Sequence, residues 1–323
     1  MMNRKFSAGL WVFAQSEEKY GGYVGAWTVQ EQIKAAASVP ELKGVELIAP
    51  LHVSLENVKE IKACLDDAGL ATVAVNPYLW TEPQWQRGAL TSPDPKIRAL
   101  AVDTAKKSID IGRALGCDKM DVWPGEDGWD YLFQVNYGQM WDNTAECIRQ
   151  IAEYDPAYRI GIEYKTGEPR MSQHINNAAK AALLGAALGL PNVGAYLDYG
   201  HALIAHENAA DTVAMLMRTK RLIGVHVNDN YGLEDDDLMV GSVHLWSTLE
   251  FLLALDDYGY DDWISLDIVP RRESPVKACT QSMAALEKIY CLIDRLDRDA
   301  LAKAQAEMDA VETQRIIHQV ILG

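Results

Sequence analysis

The residues that could do chemistry sit at the ends of successive apolar runs. "RIGIEYK" ends in Glu163 and Lys165, "NVGAYLDYGH" in Asp198 and His201, and "LIGVHVN" in His226 and Asn228. "WISLDIV" carries Asp267 between Leu266 and Ile268. In "GLEDDDLMVG", Asp235 and Asp237 flank Asp236. Residues two apart in an extended run point to one face, so Glu163 pairs with Lys165 and His226 with Asn228. An inward carboxylate without a partner costs roughly several kcal/mol. Several neighbouring runs each supplying one therefore require a cation. Oxygen and nitrogen donors of this kind suit hard or borderline divalent ions.

Taken singly, each residue has a plainer explanation. One buried Asp such as Asp267 is commonly a hydrogen-bonded structural group, His201 could cap a helix start, and an acidic run such as 234–237 is usually a solvated loop. An EF-hand is excluded, because from Asp229 the third and fifth loop positions are Tyr231 and Leu233. The coincidence on successive runs is what points to metal.

The elements that must position these groups follow a regular alternation. "KFSAGLWVF", "KGVELIA", "LATVAVN", "DKMDVW", "RIGIEY", "NVGAYLD", "LIGVHVN" and "WISLDIV" read as strands. Amphipathic segments such as "SLENVKEIKACLDDAG" lie between them. Strand then helix, about eight times, predicts an α/β fold, a closed (β/α)8 TIM barrel, with the chemistry at the C-terminal strand ends. No G-x-G-x-x-G follows the first strand, which disfavours a doubly wound nucleotide-binding sheet. The barrel is placed at 1–296 and a C-terminal helical extension at 297–323. Such a tail either packs on its own barrel or reaches a neighbouring subunit, and the second is expected here, in a homodimer or homotetramer.

Composition narrows the partners. The chain has 323 residues, 49% of them hydrophobic, and a formal net charge of −16. That balance argues against nucleic acid and against an anionic membrane surface, and fits a small neutral substrate. No stretch of about 18 uninterrupted apolar residues is present, so no membrane span is expected. No signal peptide is expected from the start, its apolar run being broken by Gln15, Glu17 and Glu18. Five dispersed cysteines without a C-x-x-C pair suit a reducing cytoplasm.

These segments resemble, in order, the xylose isomerase-like barrel superfamily. "FSAGLWVFA" is similar to F-x-x-G-L-W, "VWPGEDG" to the tryptophan–glycine segment after strand four, and "EYKTGEPR" to E-P-K-P-N-E-P-R. "DYGH" resembles E-T-G-H, "DDDLMVG" resembles D-Q-D-L-x-F-G, and "LDIVP" resembles F-D-Y-K-P. The His in "VHVND" looks nearer the L-rhamnose isomerase branch. The resemblance implies two divalent ions, Mg2+, Mn2+ or Co2+. A structural ion would take Glu163, Asp198, His226 and Asp267. A catalytic ion would take His201, Asp235 and Asp237, with Asp198 bridging, while Asp236 points elsewhere and Asn228 lies beside the site.

The activity so implied is aldose–ketose isomerisation by hydride shift between C2 and C1. Lys165, Glu163 and His201 would be its catalytic residues, with Lys165 polarising the C1 oxygen. Trp11 and Trp123 would wall the sugar, Glu168 would orient Lys165 or bind a hydroxyl, and Asn76 is placed with them as substrate-binding. The rivals on the same barrel are a ketose 3-epimerase and a 3-keto-glycoside lyase or deglycosidase, each with one metal.

The chain departs from xylose isomerase at strand two. There G-V-T-F-H-D supplies a ring-opening His, whereas "GVELIAPLH" puts Ile48 at that position and His52 four residues on, read as a surface-loop residue. An isoleucine cannot relay a proton. Activity on D-xylose and D-glucose, whose pyranoses need help to open, should therefore be weak beside that on sugars with a larger open-chain fraction. A screen of tetroses to hexoses with Mn2+ checks this. It fails if D-xylose matches or exceeds every other aldose in kcat/KM.

Overall fold

The computed structural model describes residues 4–14, 25–168 and 171–322. Eight parallel strands form the barrel: β1 (Lys5–Gly9), β2 (Gly44–Ala49), β3 (Ala71–Pro77), β4 (Lys119–Val122), β5 (Arg159–Glu163), β6 (Val193–Asp198), β7 (Leu222–Val227) and β8 (Trp263–Leu266). All eight coincide with the apolar runs. The first run is shorter than it reads. β1 stops at Gly9, and Leu10–Phe13 forms a 3-10 turn. A Cβ on Gly9 would overlap the Trp11 indole, so glycine lets Trp11 fold back over the barrel mouth.

Backbone pairing runs from β3 through β2, β1, β8, β7, β6 and β5 to β4. Among the described residues, the ladder is not continued between β3 and β4. A side chain spans that seam instead: Asn76 Oδ1 accepts the Asp121 backbone N–H at 2.9 Å. The backbone donor is thereby satisfied without a strand partner.

Helices cover the barrel: α1 (Val29–Ala37), α2 (Val58–Ala68), α3 (Pro95–Leu115), α4 (Tyr137–Ala152), α5 (Ala178–Leu188), α6 (Tyr199–Ile204), α7 (Ala209–Arg218), α8 (Leu245–Asp257) and α9 (Pro275–Ile293). Their ends are written locally. Thr28 and Glu31 form a capping box at α1, and Asp94 caps α3 with Pro95 behind it. α2, α3 and α5 stop at Gly69, Gly116 and Gly189, each left-handed. At the N-terminal end of the barrel, the buried Lys119 ammonium pairs with Asp262, which also holds Arg159. This ion network closes the end opposite the candidate site.

The tail comprises α10 (Arg298–Ala306) and α11 (Ala310–Ile321). Part of its apolar surface lies on its own barrel, while Val311 and Leu322 stay exposed. Leu301, Ala304 and Ile316 are buried in the main core, and Ile317, Val320 and Ile321 pack against it. Trp246 of α8 meets the His318 ring at 5.4 Å. Among the described residues no helix is long and apolar enough to cross a membrane.

Candidate functional site

The carboxylates converge where the strands end. Glu163 is the last residue of β5 and Asp198 the last of β6, while Asp267 directly follows β8. His226 in β7 is in register with Asp198 on one side and Ser265 on the other. Equal register lifts the groups to one level of the barrel, where Glu163, Asp198, His226 and Asp267 each offer one ligand atom within 4.8 Å of the others. His226 Nδ1 lies 3.3 Å from Glu163 Oε1, 3.4 Å from Asp267 Oδ2 and 4.0 Å from Asp198 Oδ2.

A second set shares Asp198. Its Oδ1 accepts the His201 backbone N–H at 2.8 Å, capping α6 and setting His201 one turn above. Gly200 makes the close approach possible, since a Cβ there would meet the Asn228 side chain. Asp198, His201 and Asp235 bring donor atoms within the same 4.8 Å limit. Asp237 lines the cavity, but its oxygens fall outside this set. Asn228 Nδ2 donates to Asp198 Oδ2 at 3.0 Å, so it holds a ligand oxygen from beside the site. Asp236 turns away and accepts the Tyr231 backbone N–H within its own loop.

Electrostatics tests whether these residues fit a cation. Burial, with the charges of Glu163 and Asp198, pushes Asp267 up to about 7. Burial and Asp235 push Asp237 well up, and burial and Glu163 do the same for Asp121. Burial opposes the charge on Glu163 also, yet His226 and His201 hold it down at about 2. His201 rises to about 9 against its burial, under Asp198 and Asp235. The acids thus outnumber the cations near them, Lys165, Arg271, His201 and His226. Asp235 Oδ1 and His201 Nδ1 are buried and lack hydrogen-bond partners. A divalent ion fits both facts: it supplies charge, and it takes carboxylate oxygens and imidazole nitrogens.

The cavity has two unlike walls. Ile48, Leu51, Tyr78, Trp80 and Trp123 line one side, and the acids line the other. Trp80 packs edge-on between Tyr78 and Trp123, at 4.8 and 4.9 Å between ring centres. Lys165 Nζ sits 2.8 Å from Asp235 Oδ2 and 5.3 Å from the Trp123 ring centre. Trp11 lines the cavity, but its indole N–H donates to Asp267 Oδ1 at 2.6 Å, so it secures a carboxylate besides forming wall. Asn76 also lines the cavity, with its amide engaged by Glu46 and the Asp121 backbone. The backbone of Glu168 closes a short strand, Gly167–Glu168, and its side chain lies outside the described residues.

Two carboxylates were missed in the sequence. Glu46 is fully buried and meets His226 Nε2 at 3.3 Å. Asp121 lines the cavity with one oxygen unpartnered. The signal was available, since each is a lone acid inside a strand of apolar neighbours, "GVELIA" and "KMDV". His52 is a correction. It is buried, not a surface-loop residue, and its Nδ1 accepts the Ile48 N–H at 2.9 Å. It fastens the turn after β2, while Ile48 and Leu51 face the cavity.

Comparison with known proteins gives the family. Residues 33–289 match the profile of the xylose isomerase-like TIM barrel family, and the chain belongs to that family. It is 27% identical over 271 residues to a xylose isomerase of Thermus thermophilus, covering 79% of this chain and 70% of that protein. It is 26% identical over 298 residues to a probable sugar isomerase of Rhizobium meliloti, covering 87% of this chain and 68% of that one. A xylose isomerase of Thermus caldophilus is matched over 54% of its length at 28% identity. Among solved structures, a D-tagatose 3-epimerase-like protein superposes with a TM-score of 0.70 at 20% identity, covering 90% of this chain and 98% of that one. A D-allulose 3-epimerase from Methylomonas sp. gives 0.69 at 17%, with the same coverage. At these identities the structural likeness establishes the fold alone.

His52 carries a pH dependence of its own. Burial holds its imidazole down at about 4, below the ordinary value of 6.5. The folded state therefore resists the proton that the unfolded chain accepts. The effect is absent above pH 6.5 and grows as pH falls towards 4, to about 3 kcal/mol of lost stability. His52→Asn, which cannot take up a proton, should lose less of its urea midpoint than the parent between pH 7 and pH 4.5. Equal losses would show that His52 titrates normally.

Proposed function

We propose, on the premise of this family membership, that the chain is a metal-dependent aldose–ketose isomerase working by hydride shift. The observation that carries the reading is Lys165. Its ammonium stands beside Asp235, over the Trp123 face, in the same cavity as two donor sets that share Asp198. One ion would be held by Glu163, Asp198, His226 and Asp267, and a second by Asp198, His201 and Asp235. Divalent ions there would supply Lewis acidity towards the sugar's oxygens.

The chain's own residues do the rest. Lys165 brings a compact positive charge to the C1 oxygen, where charge gathers as the carbonyl forms or breaks. Trp123 and Trp80 present flat faces to the C–H side of the sugar and keep water away, which a hydride passing between carbons requires. Glu163 is taken up by His226 and the first donor set, so it is not free to abstract a carbon-bound proton.

One observation favours a second reading. Asp121 lines the cavity with an unpartnered oxygen close to Glu163, and could exchange a proton with carbon as a ketose 3-epimerase requires. Turnover in D2O separates the two. Hydride shift leaves the product carbons nearly free of deuterium, and stoichiometric incorporation would replace the isomerase reading with proton transfer. Metal analysis of the fully loaded protein should find two ions per chain, and one ion would revive the epimerase or lyase.

A further expectation concerns Lys165. Lys165→Met should lower kcat by about 100-fold or more, since a charge facing the developing oxyanion is removed. The metal content should be unchanged, because Lys165 ligates nothing. Turnover retained within a few-fold would remove Lys165 from the mechanism.

A further inference from the structure

His226 sits inside the barrel with a carboxylate at each ring nitrogen. Nδ1 faces Glu163 and Asp267, at 3.3 and 3.4 Å, on the side of the first donor set. Nε2 faces Glu46 Oε2 at 3.3 Å, across the barrel on β2. We propose that Glu46 is a positioning residue for the first ion: it accepts the Nε2 proton of His226 and thereby leaves the Nδ1 lone pair aimed between Glu163, Asp198 and Asp267. The inference rests on the reading of those residues as ligands.

Glu46 is built to hold its place. Its side chain is wholly buried, and both oxygens are engaged. Tyr196 donates its hydroxyl proton to Oε1 at 2.6 Å, and Asn76 Nδ2 approaches Oε2 at 3.4 Å. A neutral imidazole has one N–H and one lone pair, so only one of its two carboxylate sides can receive a proton. On the Nδ1 side several donor atoms converge, and a cation there excludes an N–H pointing at it. On the Nε2 side a single carboxylate waits with no ligand set around it. The proton therefore belongs to Nε2. A carboxylate behind a ligating imidazole fixes the ring and makes the other nitrogen a better donor. Tyr196, packed on the His226 ring at 4.6 Å, keeps the ring from swinging out of this line.

The alternative is that Glu46 merely anchors Tyr196 in the core. Two measurements on the full chain separate these. In the parent loaded with Mg2+, ring 15N spectra should place the His226 proton on Nε2, and a proton on Nδ1 would overturn the proposal whatever any variant does. Glu46→Gln, which keeps the side-chain shape, should bind Mn2+ about 10- to 100-fold more weakly by calorimetric titration. Its circular dichroism should match the parent. Mn2+ affinity within twofold of the parent would also overturn the proposal. Tyr196→Phe leaves the Glu46 carboxylate in place and should retain the Nε2 proton with a smaller loss of affinity. If Tyr196→Phe weakens Mn2+ binding as much as Glu46→Gln, the anchor explanation wins. A parent that binds no Mn2+ would instead reject the ligand reading itself, and the two failures are told apart by that first titration.

Discussion

An excess of negative charge enclosed by the barrel governs the rest of this structure. Glu46, Asp121, Glu163, Asp198, Asp235, Asp237 and Asp267 are within reach of one cavity, against Lys165, Arg271, His201 and His226. Charges so close in a poorly screened interior repel strongly. Four of them are nevertheless held by an ordered partner. Trp11 holds Asp267, Asn228 holds Asp198, Tyr196 holds Glu46, and Lys165 holds Asp235. Much of the polar machinery near the strand ends exists to keep acids where they would not otherwise stay.

The scaffold meets this load by separating tasks along the barrel axis. The N-terminal end carries its own ion network, Lys119 and Arg159 with Asp262 and Asp118, which closes the barrel there. The middle is packed by Tyr196 and its apolar neighbours. The C-terminal end gathers the acids on β5 to β8, and the aromatic and aliphatic groups after β2, β3 and β4. A sugar has faces of both kinds, hydroxyls and C–H, and the two walls correspond to them.

Much of this was legible in the sequence because it depends on local pattern. The eight strands stand out as β-rich apolar runs punctuated by caps and glycines, and the site acids stand out because charge is rare at strand ends. What escaped depends on distance in three dimensions. Glu46 reads as a lone acid in an apolar strand, and its partner His226 shows only once β2 is seen to face β7. His52 reads as a loop residue because a turn after a strand is usually wet, yet its imidazole replaces a backbone acceptor for Ile48. For the tail, amphipathic helices say only that a face must be covered, not by which chain; Leu301, Ala304 and Ile316 lie in the barrel's core and Val311 and Leu322 stay exposed. Asp237 joined the ligands through the regular D-x-D spacing. The loop gives it a left-handed backbone and bonds its carbonyl to Val269, and its carboxylate lines the cavity beside Asn228, outside the set formed by Asp198, His201 and Asp235.

The seam between β3 and β4 gives this barrel an uneven mechanical character. Elsewhere, parting two strands breaks a whole ladder at once. At the seam, the Asn76 amide alone satisfies the Asp121 backbone donor. Local opening is cheapest where few backbone bonds must break together, so slow amide exchange should first fail along this line. Both flanking residues also face the cavity, and Asn76 touches Glu46 behind His226. The most compliant line of the cylinder thus runs directly beneath its most highly charged point, and a molecule filling the cavity would stiffen the wall it leans on.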